Sequence, residues 1–109
     1  MDKMLLAGSC GMMVMKLLIE GDMYGYQIIQ QLAERSENVF QLKAGTLYPL
    51  LHTLEQKGYI TSYENMADNS KLRRYYHITE DGRKSLLNKE SEWKSYVHAV
   101  NLMLGDDHG

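Results

Sequence analysis

The chain has 109 residues, 44% of them hydrophobic and 24% charged, with one Pro, nine Gly and one Cys. That is one ordinary globular domain, not a collagen-like or Pro-rich disordered chain, and it excludes a disulfide scaffold within the chain. The net charge of −2 argues mildly against a nucleic-acid partner when the chain is taken whole.

The charge is not evenly spread. Residues 1–40 carry three Lys/Arg against five Asp/Glu, and residues 80–109 carry four against six. Residues 41–79 carry five (Lys43, Lys57, Lys71, Arg73, Arg74) against three (Glu55, Glu64, Asp68). This middle third is the only net-positive stretch, so a polyanion-binding surface would have to lie there.

Residues 3–20 predict a first helix that Gly21-Asp22 stops. It is apolar nearly all round, so it should be buried on more than one side. Ala7 and Gly11 lie four apart on one face, where small residues let another helix approach. The run is too short and too interrupted for a membrane span, and it lacks the marks of a signal peptide. The expectation is a cytoplasmic protein with no membrane partner. Residues 24–36 predict a second helix with the stripe Ile28, Ile29, Leu32 and Ala33. A connector over 37–43 should be anchored by Val39, Phe40 and Leu42.

Residues 45–57 predict a third helix. Leu47, Leu50, Leu51 and Leu54 recur at helical spacing, and Gly58 suits the position past its end. Pro49 should belong to the first turn, where a missing amide costs little. Residues 59–66 and 71–78 predict two strands joined by the turn Ala67-Asp68-Asn69-Ser70. Thr79 should cap a fourth helix running to about Leu104, with Glu80 and Asp81 in its first turn. A tail, 105–109, follows.

Three helices, a hairpin and one long helix make a mainly α fold with a small β-hairpin. This is the winged helix-turn-helix arrangement, spanning 1–79, with 80–104 as a C-terminal dimerisation helix. Three linked stretches strengthen the reading. Gly45-Thr46-Leu47-Tyr48-Pro49-Leu50-Leu51, followed by Leu54-Glu55 and Gly58-Tyr59-Ile60, resembles the recognition-helix signature of PadR-type transcriptional regulators. Tyr24-Gly25-Tyr26-Gln27-Ile28 resembles that family's second-helix opening, and Arg73 through Gly82 its junction between wing and fourth helix. With one C-terminal helix, the chain resembles the short subfamily. The resemblance implies a homodimeric, ligand-responsive DNA-binding protein, usually a repressor. One departure is visible: the family wing often carries a Gly-Arg-x-Arg-Lys run, and here Asn69-Ser70-Lys71-Leu72-Arg73 stands instead.

The candidate DNA contacts are Lys43, Thr46, Tyr48, Pro49, His52 and Thr53 around the third helix, and Lys71, Arg73 and Arg74 on the wing. Thr46 reads equally as a helix cap. Strand alternation puts Lys71 and Arg73 on one face and Arg74 on the other. Tyr24 and Tyr26 read as packing and cap residues.

Along the fourth helix, Trp93, Tyr96, Val97, Val100, Met103 and Leu104 form an apolar stripe for a second copy of the chain. Trp93 reads as a residue of that dimer core; the resemblance also implies a planar hydrophobic effector, for which Trp93 would be a flat wall with Met12, Met15, Leu86 and Val97 lining the rest. No cofactor motif is present. His52, His77, His98 and His108 have no metal-ligand spacing with one another or with Cys10. No catalytic constellation stands out.

The function expected is a ligand-responsive repressor that binds double-stranded DNA at an inverted repeat, through helix 45–57 and the wing. The competing readings are a winged-helix protein–protein module without sequence-specific DNA binding, a redox or metal sensor on the same fold, and a small enzyme.

Overall fold

The computed structural model describes residues 3–66 and 71–105. The elements are α1 (Lys3–Glu20), β1 (Met23–Tyr24), α2 (Gly25–Arg35), α3 (Ala44–Gln56), β2 (Ile60–Met66), β3 (Leu72–Ile78) and α4 (Glu80–Leu104). The expected turn over 67–70 and most of the tail, 106–109, lie outside the described residues.

The core is built where the helical stripes converge. Val14, Met15 and Leu18 of α1, Ile28 of α2, Leu47 and Leu51 of α3, Ile60 and Ile78 of the strands and Leu86 of α4 are all less than 2% exposed. Only the later turns of α1 supply this core. Its first turns leave Met4 and Leu5 open, so the expectation of burial on several sides holds for half the helix. Gly11 allows the approach foreseen for it. A side chain there would meet Leu50 and Leu54 of α3 at 3.7 Å.

Helix ends follow local chemistry. At the end of α3, Gly58 adopts φ 77°, Tyr59 N–H donates to the Leu54 carbonyl, and Gly58 N–H donates to the Glu55 carbonyl. These two bonds satisfy carbonyls that a helix end leaves orphaned. Thr79 caps α4 as expected, its hydroxyl oxygen accepting from Gly82 N–H at 3.0 Å. The same hydroxyl donates to the Gly58 carbonyl at 2.7 Å, which joins the end of α3 to the start of α4. After α2, Ser36 Oγ donates to the Leu32 carbonyl and accepts from Phe40 N–H. Of the three expected anchors in this connector, Leu42 is buried, Phe40 is half-buried and Val39 is exposed.

Two expectations are corrected. α3 begins at Ala44, so Pro49 is its sixth residue and not part of the first turn. Its ring removes the amide that would bond the Gly45 carbonyl. Gly45 and Pro49 are both exposed, so water can serve that carbonyl. The sheet also has three strands. Met23 and Tyr24 pair with Tyr76 and Tyr75 of β3, giving the antiparallel order β1-β3-β2. Two residues ahead of a helix carry no periodicity to announce a strand.

The β2–β3 register pairs Ile60 with Ile78, Ser62 with Tyr76, Tyr63 with Tyr75 and Asn65 with Arg73. Ile60, Tyr76 and Ile78 face the core. Strand alternation then turns Tyr63, Arg73, Tyr75 and His77 to the outer face.

Beyond Leu86, no residue of α4 is fully buried, though the helix keeps contact with α1 through the Lys16–Glu90 pair. The molecule measures 53 × 29 × 21 Å, elongated by this helix.

Candidate nucleic-acid interface

The outer side of α3 is polar and open. Lys43, Thr46, Tyr48, Pro49, His52 and Thr53 are all exposed. Burial of Leu47, Leu51 and Leu54 on the opposite side enforces this. Lys43 occupies the N-cap, and Thr46 lies inside the helix with its N–H on the Lys43 carbonyl. The cap reading of Thr46 is therefore overturned: a cap at Thr46 needs a helix that starts at Leu47, and this one starts at Ala44. Thr53 Oγ1 donates to the Pro49 carbonyl at 3.1 Å. His52 leaves its ring in solvent.

Tyr48 joins α3 to α2. Its ring and hydroxyl lie against Gly25, where any Cβ would overlap them. Glycine at the first position of α2 thus sets how closely the two helices meet. The Tyr48 hydroxyl stands near the N-terminus of α2, where free N–H groups and the helix dipole favour an anion. Tyr24 is half-buried at the N-cap of α2, and its N–H donates to Gln27 Oε1 at 3.1 Å. Tyr26 is exposed and packs less than its sequence position implied.

The wing arginines diverge, as strand alternation predicts. Arg74 turns toward α3. Its Nε donates to Ser62 Oγ at 3.1 Å, and Ser62 Oγ donates to Glu55 Oε2 at 2.9 Å. Arg73 lies on the outer face with its guanidinium 5.1 Å from the centre of the Tyr24 ring. Lys71 is exposed at the start of the second strand arm. Across the wing, Met66 pairs with Leu72, and both are open to solvent.

A cluster that sequence reasoning missed occupies the base of the same face. Asp22, in the turn between α1 and β1, reaches both wing strands. Tyr63 Oη donates to its Oδ2 at 2.6 Å, and His77 Nδ1 lies 2.8 Å from its Oδ1. Partial burial pushes the Asp22 carboxyl up, but the hydrogen bonds from Tyr63 and His77 and the charge of His77 together hold it below its usual range. The bond to Asp22, with burial and charge adding to it, raises the Tyr63 hydroxyl. The available signal was the alternation of Arg73, Tyr75 and His77, but nothing in the sequence placed Asp22 opposite them.

The second predicted site, along α4, is redrawn. A groove of about 810 Å³ runs between the first turns of α1 and the middle of α4. Trp93, Tyr96 and Met12 line it, with Met4, Leu5 and Gly8. Met15 and Leu86 do not. They are 0% and 1% exposed and belong to the core of the domain, so their proposed contact with an effector is corrected. The sequence stripe could not show which of its residues the domain itself buries. Val97 and Val100 are half-buried, whereas Trp93, Tyr96, Met103 and Leu104 are exposed. Lys16 and Glu90, 3.5 Å apart, tie α1 to α4 beside this groove.

Cys10 is 5% exposed, and burial pushes its thiol pKa up. A buried, protonated thiol is a poor oxidation sensor. Among the described residues, no three His, Cys, Asp or Glu side chains come together to hold a metal, and no helix is long and apolar enough to cross a membrane.

Three helices with an antiparallel wing, the third helix presenting a polar face beside the wing arginines, define a winged-helix DNA-binding protein. Residues 14–88 match the transcriptional regulator PadR-like family, and the chain belongs to that family. A transcriptional regulator from Clostridium thermocellum superimposes with a TM-score of 0.82 at 35% identity, over 89% of this chain and 94% of that one. A PadR family regulator from Eggerthella lenta gives a TM-score of 0.81 at 32% identity, over 94% and 88% of the two chains. An uncharacterized protein of Lysinibacillus sphaericus is 32% identical over 100 residues, 92% of each chain. The protein is a DNA-binding transcriptional regulator and not an enzyme.

Proposed function

We propose that the protein is a homodimeric repressor that binds an inverted-repeat operator and answers to a planar hydrophobic effector. The carrying observation is the open stripe of α4. Trp93, Tyr96, Met103 and Leu104 stand open on the second half of α4, beside the open first turns of α1. A solvated stripe of this kind is costly, and a second copy related by a two-fold axis covers it with the same surface. The α4 pair then spaces two α3 helices for successive major grooves about one DNA turn apart. Lys43, Thr46, Tyr48, Pro49, His52 and Thr53 face the groove and its phosphates, and Lys71, Arg73 and Arg74 carry the wing contact.

The effector would enter the groove at Trp93, with Met12 and Tyr96 as further walls. Dimer formation encloses that groove from the other side. An effector shifts DNA affinity only if it binds one spacing of the two α3 helices more tightly than another.

The test joins three measurements. Sedimentation should give a dimer. The duplex lying upstream of the chain's own gene should shift at low protein concentration, and the Arg73→Ala, Arg74→Ala double variant should bind it more weakly with a flatter salt dependence. Trp93 fluorescence should respond to planar hydrophobic compounds that also alter the shift. A monomer, or a double variant with unchanged affinity and salt slope, would overturn the respective part.

A further inference from the structure

The outer face of the wing sheet holds an unbroken series of contacts from the end of α1 to Arg73. Asp22 accepts from Tyr63 Oη at 2.6 Å. The Tyr63 ring stacks on Tyr75, centroids 5.7 Å apart and planes 14° from parallel. Tyr75 meets Tyr24 edge to face at 5.4 Å and 79°. The Tyr24 ring carries the Arg73 guanidinium at 5.1 Å. On its other oxygen, Asp22 faces His77 Nδ1 at 2.8 Å. An ionised carboxylate only accepts, so the histidine nitrogen donates.

Each contact has a physical reason. The sheet register sets Tyr63 opposite Tyr75, and Tyr75 opposite Tyr24. Offset and edge-to-face aromatic pairs are the favoured geometries at these separations. A guanidinium over a tyrosine face is attracted by the ring quadrupole. Arg73 Nε is enclosed and has no hydrogen-bond partner. An enclosed unpaired donor is costly, so something must hold Arg73 in this position. The tyrosine ladder is what touches it.

We propose that Asp22 is a positioning residue for DNA binding: by bridging the two wing strands it fixes the ladder Tyr63–Tyr75–Tyr24, and the ladder holds Arg73 where it meets a DNA phosphate. This rests on the reading of the wing as a phosphate contact. It adds a route by which α1 acts on the wing. The first turns of α1 wall the groove at Trp93, and the residue two beyond its last turn grips the wing. A shift of α1 would therefore reach Arg73 without any contact between effector and DNA.

A double-mutant cycle on the full chain tests this, with the duplex from upstream of its own gene as probe and affinity measured across a salt series. Arg73→Ala should lose about tenfold in affinity, the scale of one charge-assisted hydrogen bond. Its log–log salt slope should fall by roughly 0.9, one phosphate contact. Asp22→Ala should weaken binding several-fold and reduce the slope in the same direction. The double variant should bind no worse than Arg73→Ala alone, because the two losses are one contact. Tyr63→Phe removes a single hydroxyl and should act as a milder Asp22→Ala, which keeps the test valid if Asp22→Ala fails to fold. Asp22→Asn still accepts from Tyr63 and should restore most of the affinity. Multiplying losses, or loss of affinity in Asp22→Ala with an unchanged slope, would overturn the positioning role alone. Wild-type binding by Arg73→Ala would overturn both the role and the wing reading beneath it.

Discussion

Leu86 and Trp93 lie two turns apart on one apolar stripe of α4, yet the structure gives them different work, and truncating each should separate the two. Leu86 is 1% exposed and packs in the core with Met15 and Ile78. Leu86→Ala removes its buried methyl groups and leaves a cavity that neighbouring helices cannot fully close, at a cost of about 3 kcal/mol. A domain of this size has only about 5–15 kcal/mol in total. The melting temperature should therefore fall by roughly 12–20 °C, at every protein concentration. Trp93 is 42% exposed, on the wall of the groove that α4 forms with the first turns of α1. Trp93→Ala should leave the dilute protein nearly as stable as the parent. It should flatten the rise of melting temperature with concentration, since that rise measures association. Thermal unfolding followed by circular dichroism over a hundredfold concentration range reads both. The reasoning fails if Leu86→Ala costs under about 1 kcal/mol, or if Trp93→Ala destabilises the dilute protein as severely as Leu86→Ala.

Three further outcomes follow from the packing. Gly82→Ala places a Cβ against the Tyr59 carbonyl and Ile78 at the start of α4 and should cost about 1–3 kcal/mol. Gly45→Ala, where nothing lies within 4 Å, should be neutral or stabilising by up to about 1 kcal/mol; denaturant midpoints compare the two. The Asp22 carboxyl is held below its usual range by its partners. Its folded pKa lies under the unfolded one, so its contribution is full above the unfolded carboxyl pKa and is lost as pH falls through the folded one. The stability gap between the parent and Asp22→Asn should accordingly persist at neutral pH and close in acid, and a gap independent of pH would contradict this. Cys10, buried and protonated, should react with a thiol reagent far more slowly in the native protein than in urea. Equal rates would mean that α1 opens readily.

Much of the architecture is legible in the residues alone. The Leu47, Leu51 and Leu54 spacing marks α3 and its buried side, and from that side the exposed one follows. Gly58 and Thr79 mark the end of one helix and the cap of another because their chemistry is local: a left-handed turn and a hydroxyl that accepts an orphan amide. Alternation along Leu72–Ile78 separates Arg73 from Arg74 without reference to anything else in the chain. Pro49 misled because its preference for a first turn is only statistical, and the exposed face of α3 tolerates the lost hydrogen bond.

What escaped the sequence depends on elements far apart in the chain. Met23 and Tyr24 become a strand only because β3 offers them a free edge. Asp22 gains its role from Tyr63 and His77, 41 and 55 residues away. Met15 and Leu86 read as candidates for an effector wall, since an apolar residue on an apolar stripe looks the same whether its neighbour is the core or a groove. The sequence by itself determined the winged helix, the polar face of α3, and the concentration of positive charge in an otherwise acidic chain. Periodicity, capping and charge are properties of neighbours, and neighbours are written in order. Only the tertiary structure decided which residues of α4 join the core and which remain open. It alone joined the end of α1 to the wing, because both depend on close approach between segments that the chain keeps apart.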